Sequence, residues 1–197
     1  MQTTIFFIRH GESRANKKHV YQGLTIDSAL TEKGREQARA FKKNFSEKID
    51  AVYSSPAKRC LETAEIIFGN NIKLDERLME RGLGEWEGME REEIKERFPK
   101  EFEQYNKNRD MANIKGAEPY EKIEERIRDF FEEILSTHKG KMIAIVGHAG
   151  VGKVLLKMVL KLPREKIAEL EIGNSATKKI VFNGTKIESG KIVEEGE

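Results

Sequence analysis

The sequence predicts an α/β fold, a three-layer α/β/α sandwich in which a mostly parallel central sheet has helices on both faces and a small helical cap. Two observations support this prediction. Short apolar runs, typical of buried strands, alternate with longer segments whose apolar residues recur at helical spacing. With 197 residues, 38% of them hydrophobic, the chain suits one domain with a substantial core. We expect that domain to span residues 1–197, with the cap inserted at about residues 88–118.

The N-terminal part is predicted to alternate strand and helix twice. Residues 5–8 form an apolar run that predicts a buried strand, and Thr31 is placed to cap the helix that follows. A short strand is predicted at residues 51–53. Ser55-Pro56 then predicts a second helix, because a hydroxyl cap and a proline at the first helical position are typical of helix starts. Residues 72–74 are expected to form a short edge strand.

The middle of the chain predicts the cap. Residues 90–98 and 100–109 have the pattern of two polar helices separated by Pro99. Their larger apolar side chains either wall a substrate or pack the cap onto the core; they are Phe98, Phe102, Tyr105 and Met111. Residues 120–137 follow as a long amphipathic helix.

The C-terminal part predicts the rest of the sheet. Residues 142–146 indicate a second strongly buried strand, and residues 151–160 a helix. Lys153, Lys157 and Lys161 are expected to share one solvated face of that helix. The last predicted elements are a strand at residues 177–182 and a terminal hairpin formed by residues 186–187 and 191–193.

Polar side chains follow the predicted strands. Arg9 and His10 follow the first strand, and Arg59 lies one turn into the helix after the second. Glu80 follows the third strand and its connector, and His148 follows the strand at residues 142–146. In such sheets ligands bind beyond the carboxyl ends of the strands, so we expect these groups to meet. Two arginines and two histidines have little structural reason to converge unless a dense anion, such as a phosphoryl group, lies among them.

These residue types suit phosphoryl transfer. The planar fork of arginine pairs with two phosphate oxygens. A neutral histidine can attack phosphorus and so divide one displacement into two. A carboxylic acid can then protonate the leaving oxygen and later deprotonate the attacking water. Glu80 is the candidate acid, and Glu85 and Glu87 lie close enough in the sequence to be alternatives.

Five ordered segments of the chain resemble the histidine phosphatase superfamily, which includes the cofactor-dependent phosphoglycerate mutases. The opening segment, residues 9–16, reads Arg-His-Gly-Glu-Ser-Arg-Ala-Asn. The others are residues 27–38, 54–64, 80–88 and 146–151. The segments occur in the family's order and span nearly the whole chain, which makes the resemblance specific.

The resemblance implies a role for each matching residue. His10 would be the phosphorylated nucleophile, and Glu80 the proton donor. Arg9, Arg59 and His148 would hold the phosphoryl oxygens. The expected substrate-binding residues are Asn16, Gln22, Gly23, Arg81 and Ala149, the last of which stands where glycine is common in the family. No metal and no other cofactor is implied.

Two activities remain open, because hydrolysis and mutase chemistry share the phosphohistidine. The run at residues 84–88 and the short stretch between Glu80 and His148 resemble the phosphatase branch. Arg81 favours a mutase, since an arginine beside the acid could bind a substrate carboxylate; its other interpretation is a surface salt bridge. We expect a phosphomonoester hydrolase that acts on a small phosphorylated metabolite, with a phosphoglycerate mutase as the alternative.

Residues 147–153 offer a more distant alternative. They satisfy most of the phosphate-binding loop of nucleotide hydrolases and lie between a predicted strand and a predicted helix. Val154, however, stands where a serine or threonine should hold magnesium. No metal site is expected either, because the 4 histidines lack ligand spacing and Cys60 is the only cysteine.

Composition limits the expected partners and location. The 36 basic residues nearly balance the 34 acidic ones, which argues against a nucleic-acid-binding protein. The N-terminal apolar run is too short for a signal peptide or a membrane span, and the lone cysteine fits a reducing compartment. We therefore expect a cytoplasmic protein without membrane partners. Its richness in Lys and Glu suggests a thermophilic protein, and the terminal hairpin could pair with a second copy in a homodimer.

Overall fold

The computed structural model describes residues 1–107 and 112–193. Its strands are β1 (Thr3–Arg9), β2 (Ala51–Ser54), β3 (Lys73–Leu74), β4 (Met142–Gly147), β5 (Thr177–Phe182) and β6 (Gly190–Val193). Its helices are α1 (Arg14–Lys17), α2 (Glu32–Asn44), α3 (Lys58–Phe68), α4 (Arg91–Arg97), α5 (Pro99–Lys107), α6 (Tyr120–Thr137) and α7 (Ala149–Leu160). Met111 and the last residues of the predicted helix at 100–109 lie outside the described residues.

The six strands form one sheet in the order β3-β2-β4-β1-β5-β6. The first four of these are parallel, whereas β5 and β6 are antiparallel to their neighbours. The predicted mostly parallel sheet is therefore confirmed. Val146 of β4 lies between Ile8 of β1 and Ser54 of β2, so these three strands end at the same edge of the sheet.

Helices cover both faces of this sheet, as predicted. Successive side chains of a strand point to opposite faces, and β1 and β4 accordingly contribute to two separate cores. Phe7 and Ile145 pack with residues of α6 and α7 on one face. Ile8 and Val146 pack with residues of α2 and α3 on the other. Within residues 1–107 and 112–193, no helix combines the length and the apolar character needed to cross a membrane.

The segment ahead of α6 builds a third apolar cluster around the fully buried Trp86. The ring of Tyr105 meets the indole edge-on, with centroids 5.3 Å apart. The rings of Phe98 and Phe102 lie 6.2 and 6.3 Å from it. These side chains hold α4 and α5 against the 3₁₀ turn Gly84–Trp86. Their predicted packing role is the one observed, although Tyr105 also lines the cavity at the sheet edge.

Helix α3 begins later than the sequence predicted. It starts at Lys58, and the residue before it provides no side-chain cap. The Ser55 hydroxyl, expected to cap the helix, accepts the Ala57 N–H at 3.3 Å, ahead of the helix, and lies 2.8 Å from Nε2 of His148. The carboxylate of Asp27 accepts the Lys58 N–H at 2.9 Å from outside the helix. The predicted start at Ser55-Pro56 is therefore wrong: the Ser55 hydroxyl binds a backbone N–H ahead of the first helical turn, and a carboxylate distant in sequence accepts the first helical N–H.

The C-terminal strand pairing also differs from the prediction. β6 pairs with β5, and Ile192 lies beside Ile180. Residues 186–187 form no strand: Ile187 begins a 3₁₀ helix, Ile187–Ser189, and its side chain is fully buried in the core. Burying that side chain against α7 turns the backbone out of the extended form. The predicted hairpin is therefore wrong in its first strand.

The lysines of α7 do not share one solvated face. Lys153 has only 6% of its surface exposed and lines the cavity at the sheet edge. Lys157 forms an ion pair with Glu124 of α6. Lys161 follows the helix as its left-handed cap residue. The prediction is wrong for Lys153, because the first turns of α7 lie between the sheet and the cavity.

Candidate active site

A cavity of about 690 Å³ opens at the carboxyl ends of β1 and β4. Arg9, His10, Arg59 and Glu80 line it, as do all five residues predicted to bind substrate, which are Asn16, Gln22, Gly23, Arg81 and Ala149. His148 lies just behind the cavity wall, with its ring centroid 5.4 Å from that of His10. The structure therefore brings together every residue that the sequence selected.

His10 is held as a neutral imidazole with its proton on Nδ1. Its Nδ1 lies 2.7 Å from the Gly11 carbonyl oxygen, which can only accept a hydrogen bond, so Nδ1 carries the proton and Nε2 keeps its lone pair. Its backbone N–H donates to the Gly147 carbonyl at 3.0 Å, which fixes it at the end of β1. Burial, together with the charges of Arg59 and Arg9, holds the pKa of His10 well below 6.5.

Arg59 places a buried positive charge beside His10. It lies in the first turn of α3 and is 1% exposed. One terminal nitrogen makes a long contact of 3.4 Å with the Ile26 carbonyl and lies 3.7 Å from the Asp27 carboxylate. Within the described residues its buried Nε has no hydrogen-bond partner. A buried guanidinium with an unused donor is expected to bind an anion, because leaving such a donor unpaired is costly.

Arg9 contributes the second guanidinium. One of its terminal nitrogens donates to the Ile172 carbonyl at 2.7 Å, which anchors the side chain to the loop that precedes β5. The rest of the side chain lines the cavity. Two arginines from β1 and α3 thus flank His10, the arrangement that the sequence predicted for binding phosphoryl oxygens.

His148 connects the end of β4 to the start of α7. It is the N-cap residue of α7 and is completely buried. Burial and the charge of Arg59 hold its pKa well below 6.5. Its Nε2 lies 2.8 Å from the Ser55 hydroxyl and 3.4 Å from Sγ of Cys60. Burial raises the pKa of that thiol to about 12, so Cys60 packs against the imidazole as a neutral group.

Glu80 presents its carboxylate at the start of α7. Oε2 accepts the backbone N–H of Gly150 at 3.1 Å, and Oε1 accepts the N–H of Arg81 at 2.9 Å. A Cβ at position 150 would overlap Oε1 of Glu80 and so displace the end of that side chain. The carboxylate is thus fixed by two backbone donors while it faces the cavity.

The alternative acid Glu87 has another task. Its carboxylate accepts the backbone N–H groups of Leu24 at 3.0 Å, Thr25 at 2.7 Å and Leu83 at 2.7 Å, and so ties the rim loop to the turn beneath it. Gly23 has a φ of +55° in that loop, and a Cβ there would overlap the same carboxylate. Of the three candidate acids, Glu80 alone lines the cavity in the described part of the chain.

The rim residues are linked by their own hydrogen bonds. Ser13 accepts the Gln22 side-chain amide at 3.0 Å, and its backbone N–H donates to the Asn16 side chain at 3.1 Å. Arg81 donates from Nε to the Glu118 carbonyl at 3.0 Å and lies over the Tyr120 ring, 5.7 Å from its centroid. Arg81 therefore belongs to the cavity wall.

Several polar residues of the cavity wall were not predicted from the sequence, and three of them are Asn174, Lys153 and Arg91. Asn174, just ahead of β5, donates from its side-chain amide to the His10 carbonyl at 3.1 Å. Lys153 was expected on a solvated face, and Arg91, the first residue of α4, was not singled out. The signal for Asn174 was its position directly before a predicted strand.

The phosphate-binding-loop interpretation of residues 147–153 is not supported. Helix α7 begins at Ala149, only two residues after the end of β4, so no open loop is left to wrap a phosphate chain. Gly152 lies within the helix, where a Cβ would come within 2.5 Å of the Phe7 ring. This glycine is required by the packing of α7 on β1, and the match to the nucleotide-binding pattern is coincidental. Among the described residues no group of three or more His, Cys, Asp and Glu side chains could hold a metal ion.

Comparison with known proteins identifies the family. Residues 5–194 match the profile of the histidine phosphatase superfamily (branch 1). The chain belongs to this superfamily. Phosphoserine phosphatase 1 of Hydrogenobacter thermophilus is 33% identical over 73% of this chain and 70% of its own. The 2,3-bisphosphoglycerate-dependent phosphoglycerate mutase of Parvibaculum lavamentivorans is 29% identical over 89% of each chain. The solved structure of Bacillus stearothermophilus YhfR has a TM-score of 0.90 at 30% identity and covers 99% of this chain and 97% of that one.

These findings confirm the predicted family and the predicted α/β fold. They also confirm the prediction that the chain is an enzyme. Both activities that the sequence left open occur among the names of its relatives, phosphatase in one and mutase in the other.

Proposed function

We propose that this chain hydrolyses small phosphomonoesters, without a metal ion, through a phosphohistidine formed on His10. The observation that carries the proposal is the pairing of a neutral His10, whose Nε2 keeps its lone pair, with the buried guanidinium of Arg59, whose Nε lacks a partner among the described residues. A nucleophile and an unsatisfied cation in one cavity suit a phosphoryl group, which is electrophilic at phosphorus and anionic at its oxygens.

In the first step Nε2 of His10 attacks phosphorus, and the bond between phosphorus and the ester oxygen breaks. Arg9 and Arg59, which line the cavity, hold the non-bridging oxygens, where negative charge is concentrated. His148, which lies behind the cavity wall, would complete the set by turning its ring from the Ser55 hydroxyl towards the phosphoryl group. Glu80 gives its proton to the leaving oxygen, so the alcohol departs neutral. In the second step the Glu80 carboxylate takes a proton from water, the oxygen attacks phosphorus, and the bond to His10 breaks to release phosphate.

The substrate we propose is a small phosphorylated metabolite. Asn16, Gln22, Gly23 and Ala149 would contact the part of it near the phosphoryl group, because they line the cavity around His10. Phosphoserine is the first compound to test, since a relative that is 33% identical is named a phosphoserine phosphatase. Arg81 would face its carboxylate across the cavity.

The test is phosphate release from p-nitrophenyl phosphate and from phosphoserine in excess EDTA. We expect turnover by the native protein and none by His10→Ala. The matched control is His138→Ala, because His138 lies beyond the opposite end of the sheet, where its Nε2 contacts the Tyr53 hydroxyl at 3.4 Å. Equal activity of native protein and His10→Ala, or loss of activity in EDTA, would refute the proposal.

A phosphoglycerate mutase is the second candidate, favoured by Arg81 beside the acid and by the relative of that name. It predicts interconversion of 2-phosphoglycerate and 3-phosphoglycerate in the presence of 2,3-bisphosphoglycerate. If that exchange is faster than phosphate release, the chain is a mutase. If phosphate release dominates with every substrate, hydrolysis is the activity.

The remaining sequence expectations are kept as proposals. We propose a single domain whose segment at about residues 88–118 caps the cavity; the apolar cluster around Trp86 supports this. We propose that the protein does not bind nucleic acid, on the balance of its charges, and that it is cytoplasmic, on its single cysteine. A homodimer is proposed from β6, which pairs on one side with β5 and lies at an edge of the sheet. Sedimentation equilibrium of the full chain would show a monomer if that last proposal is wrong.

A further inference from the structure

The backbone that carries Glu80 is held from behind by an arginine of α6. Nε and one terminal nitrogen of Arg126 pair with the two carboxylate oxygens of Glu118 at 2.8 and 2.9 Å. Both side chains are largely buried, at 18% and 14% exposed. A two-point pair of this kind fixes the orientation of the guanidinium plane.

The same guanidinium holds the chain that leads to the acid. It donates to the carbonyl oxygens of Arg77 at 2.6 Å, Met79 at 2.7 Å and Glu80 at 3.3 Å. These residues follow β3 as a 3₁₀ turn and an irregular segment, so they have no sheet ladder to satisfy their carbonyl groups. Arg126 provides those bonds.

Glu118 completes the support on the far side of the acid. Its carboxylate accepts the Gly82 N–H at 3.3 Å, and its backbone carbonyl accepts Nε of Arg81 at 3.0 Å. The segment from residue 77 to residue 82 is thus bonded at almost every position to one ion pair. Neither Arg126 nor Glu118 lines the cavity in the described part of the chain.

The carboxylate of Glu80 has a fixed position at the cavity wall. It meets the Gly150 N–H at 3.1 Å and the Arg81 N–H at 2.9 Å at the start of α7, beside the wall that holds His148. The backbone position set by Arg126 therefore decides whether the carboxyl can protonate a leaving oxygen above His10. A misplacement of about 1 Å in such a group can lower a rate about 100-fold.

We propose that Arg126, oriented by Glu118, is a positioning residue for the acid Glu80. This inference rests on the proposed function, since it concerns the proton that the leaving group needs. A phenolate leaves readily without a proton, whereas an alkoxide does not. Loss of the support should therefore slow alkyl phosphates strongly and aryl phosphates little.

The experiment compares Arg126→Met with the native protein on p-nitrophenyl phosphate and on glycerol 1-phosphate. We expect kcat/KM to fall about 100-fold for the alkyl ester and less than about 5-fold for the aryl ester. Arg126→Lys, which keeps the charge and one donor, should recover part of the alkyl activity. The matched control is Arg128→Met on the same helix, which loses ion pairs to Glu132 and Glu188 that are remote from Glu80. In this variant kcat/KM should stay unchanged for both esters.

A uniform loss with both esters, or no loss, would overturn the inference while leaving the proposed function intact, provided that His10→Ala is inactive. No turnover by the native protein would overturn both. If Arg126→Met does not fold, Glu118→Gln decides, because it weakens the hold on the guanidinium while keeping an acceptor for Gly82. A selective loss with the alkyl ester in that variant supports the inference, and equal effects on the two esters refute it.

Discussion

The two buried histidines predict a loss of stability between pH 7.5 and pH 5.5. His10 and His148 are 3% and 0% exposed, and burial with the charge of Arg59 holds both pKa values well below 6.5. In the unfolded chain a histidine has a pKa of about 6.5. Below that pH the unfolded state binds more protons than the folded state, so the free energy of unfolding falls as the pH falls.

The expected magnitude follows from the number of protons. One pKa unit corresponds to about 1.4 kcal/mol, so each histidine removes about 1.4 kcal/mol when the pH drops one unit below 6.5. The two together remove about 2.7 kcal/mol at pH 5.5 relative to pH 7.5. Carboxyl groups with a lowered pKa, such as Glu12, which accepts a hydrogen bond from Thr31, change the free energy of unfolding in a lower pH range. Their stabilisation is present above pH 4.5 and is lost below it.

The measurement is urea unfolding at half-unit pH steps, at constant ionic strength and in buffers without phosphate, since a bound anion would stabilise the folded state. His10→Gln and His148→Gln should each remove about half of the pH dependence. The reasoning fails if the free energy of unfolding of the native protein is constant between pH 7.5 and 5.5. It also fails if the dependence survives in the double variant.

Three further predictions concern single side chains. Gly150→Ala places a Cβ against Oε1 of Glu80, so alkyl phosphate turnover should drop about 100-fold while aryl phosphate turnover changes little; equal rate changes for the two would contradict this. Cys60, fully buried with a pKa of about 12, should react with iodoacetamide only after unfolding, as mass spectrometry with and without urea would show. Ser55→Ala removes the hydroxyl 2.8 Å from Nε2 of His148 and should lower the free energy of unfolding by about 1–3 kcal/mol; an unchanged urea midpoint would mean that another group satisfies that nitrogen.

The sequence predicted the main features of the site because one topological rule places them. Parallel strands that alternate with helices end at one edge of a sheet, and Ile8, Ser54 and Val146 do lie side by side there. Residues that follow such strands within a few positions must then lie close together, regardless of the conformation of the loops. His10 and His148 therefore lie with ring centroids 5.4 Å apart, although 138 positions separate them along the chain (148 − 10).

The predictions failed where a side chain has a partner distant in sequence. Ser55 has the local pattern of a helix cap, but the helix begins at Lys58, whose N–H is accepted by the distant carboxylate of Asp27. Lys153 has the helical spacing of a solvated lysine, yet the cavity lies on that side of α7. The support of Glu80 by Arg126 escaped notice for the same reason, since carbonyl groups 46 to 49 positions away carry no sequence signal.

The direction of β5 explains why one part of the cavity wall was not predicted. The pattern of residues 177–182, Thr-Lys-Lys-Ile-Val-Phe, indicates a strand but not its direction. Because β5 is antiparallel to β1, with Thr177 beside Ile8, its first residues lie at the edge where the parallel strands end. The loop that enters β5 therefore brings Asn174 to the cavity, where it holds the His10 carbonyl at 3.1 Å. In a sheet of this kind, the search for site residues has to include the amino end of each antiparallel strand as well as the carboxyl ends of the parallel ones.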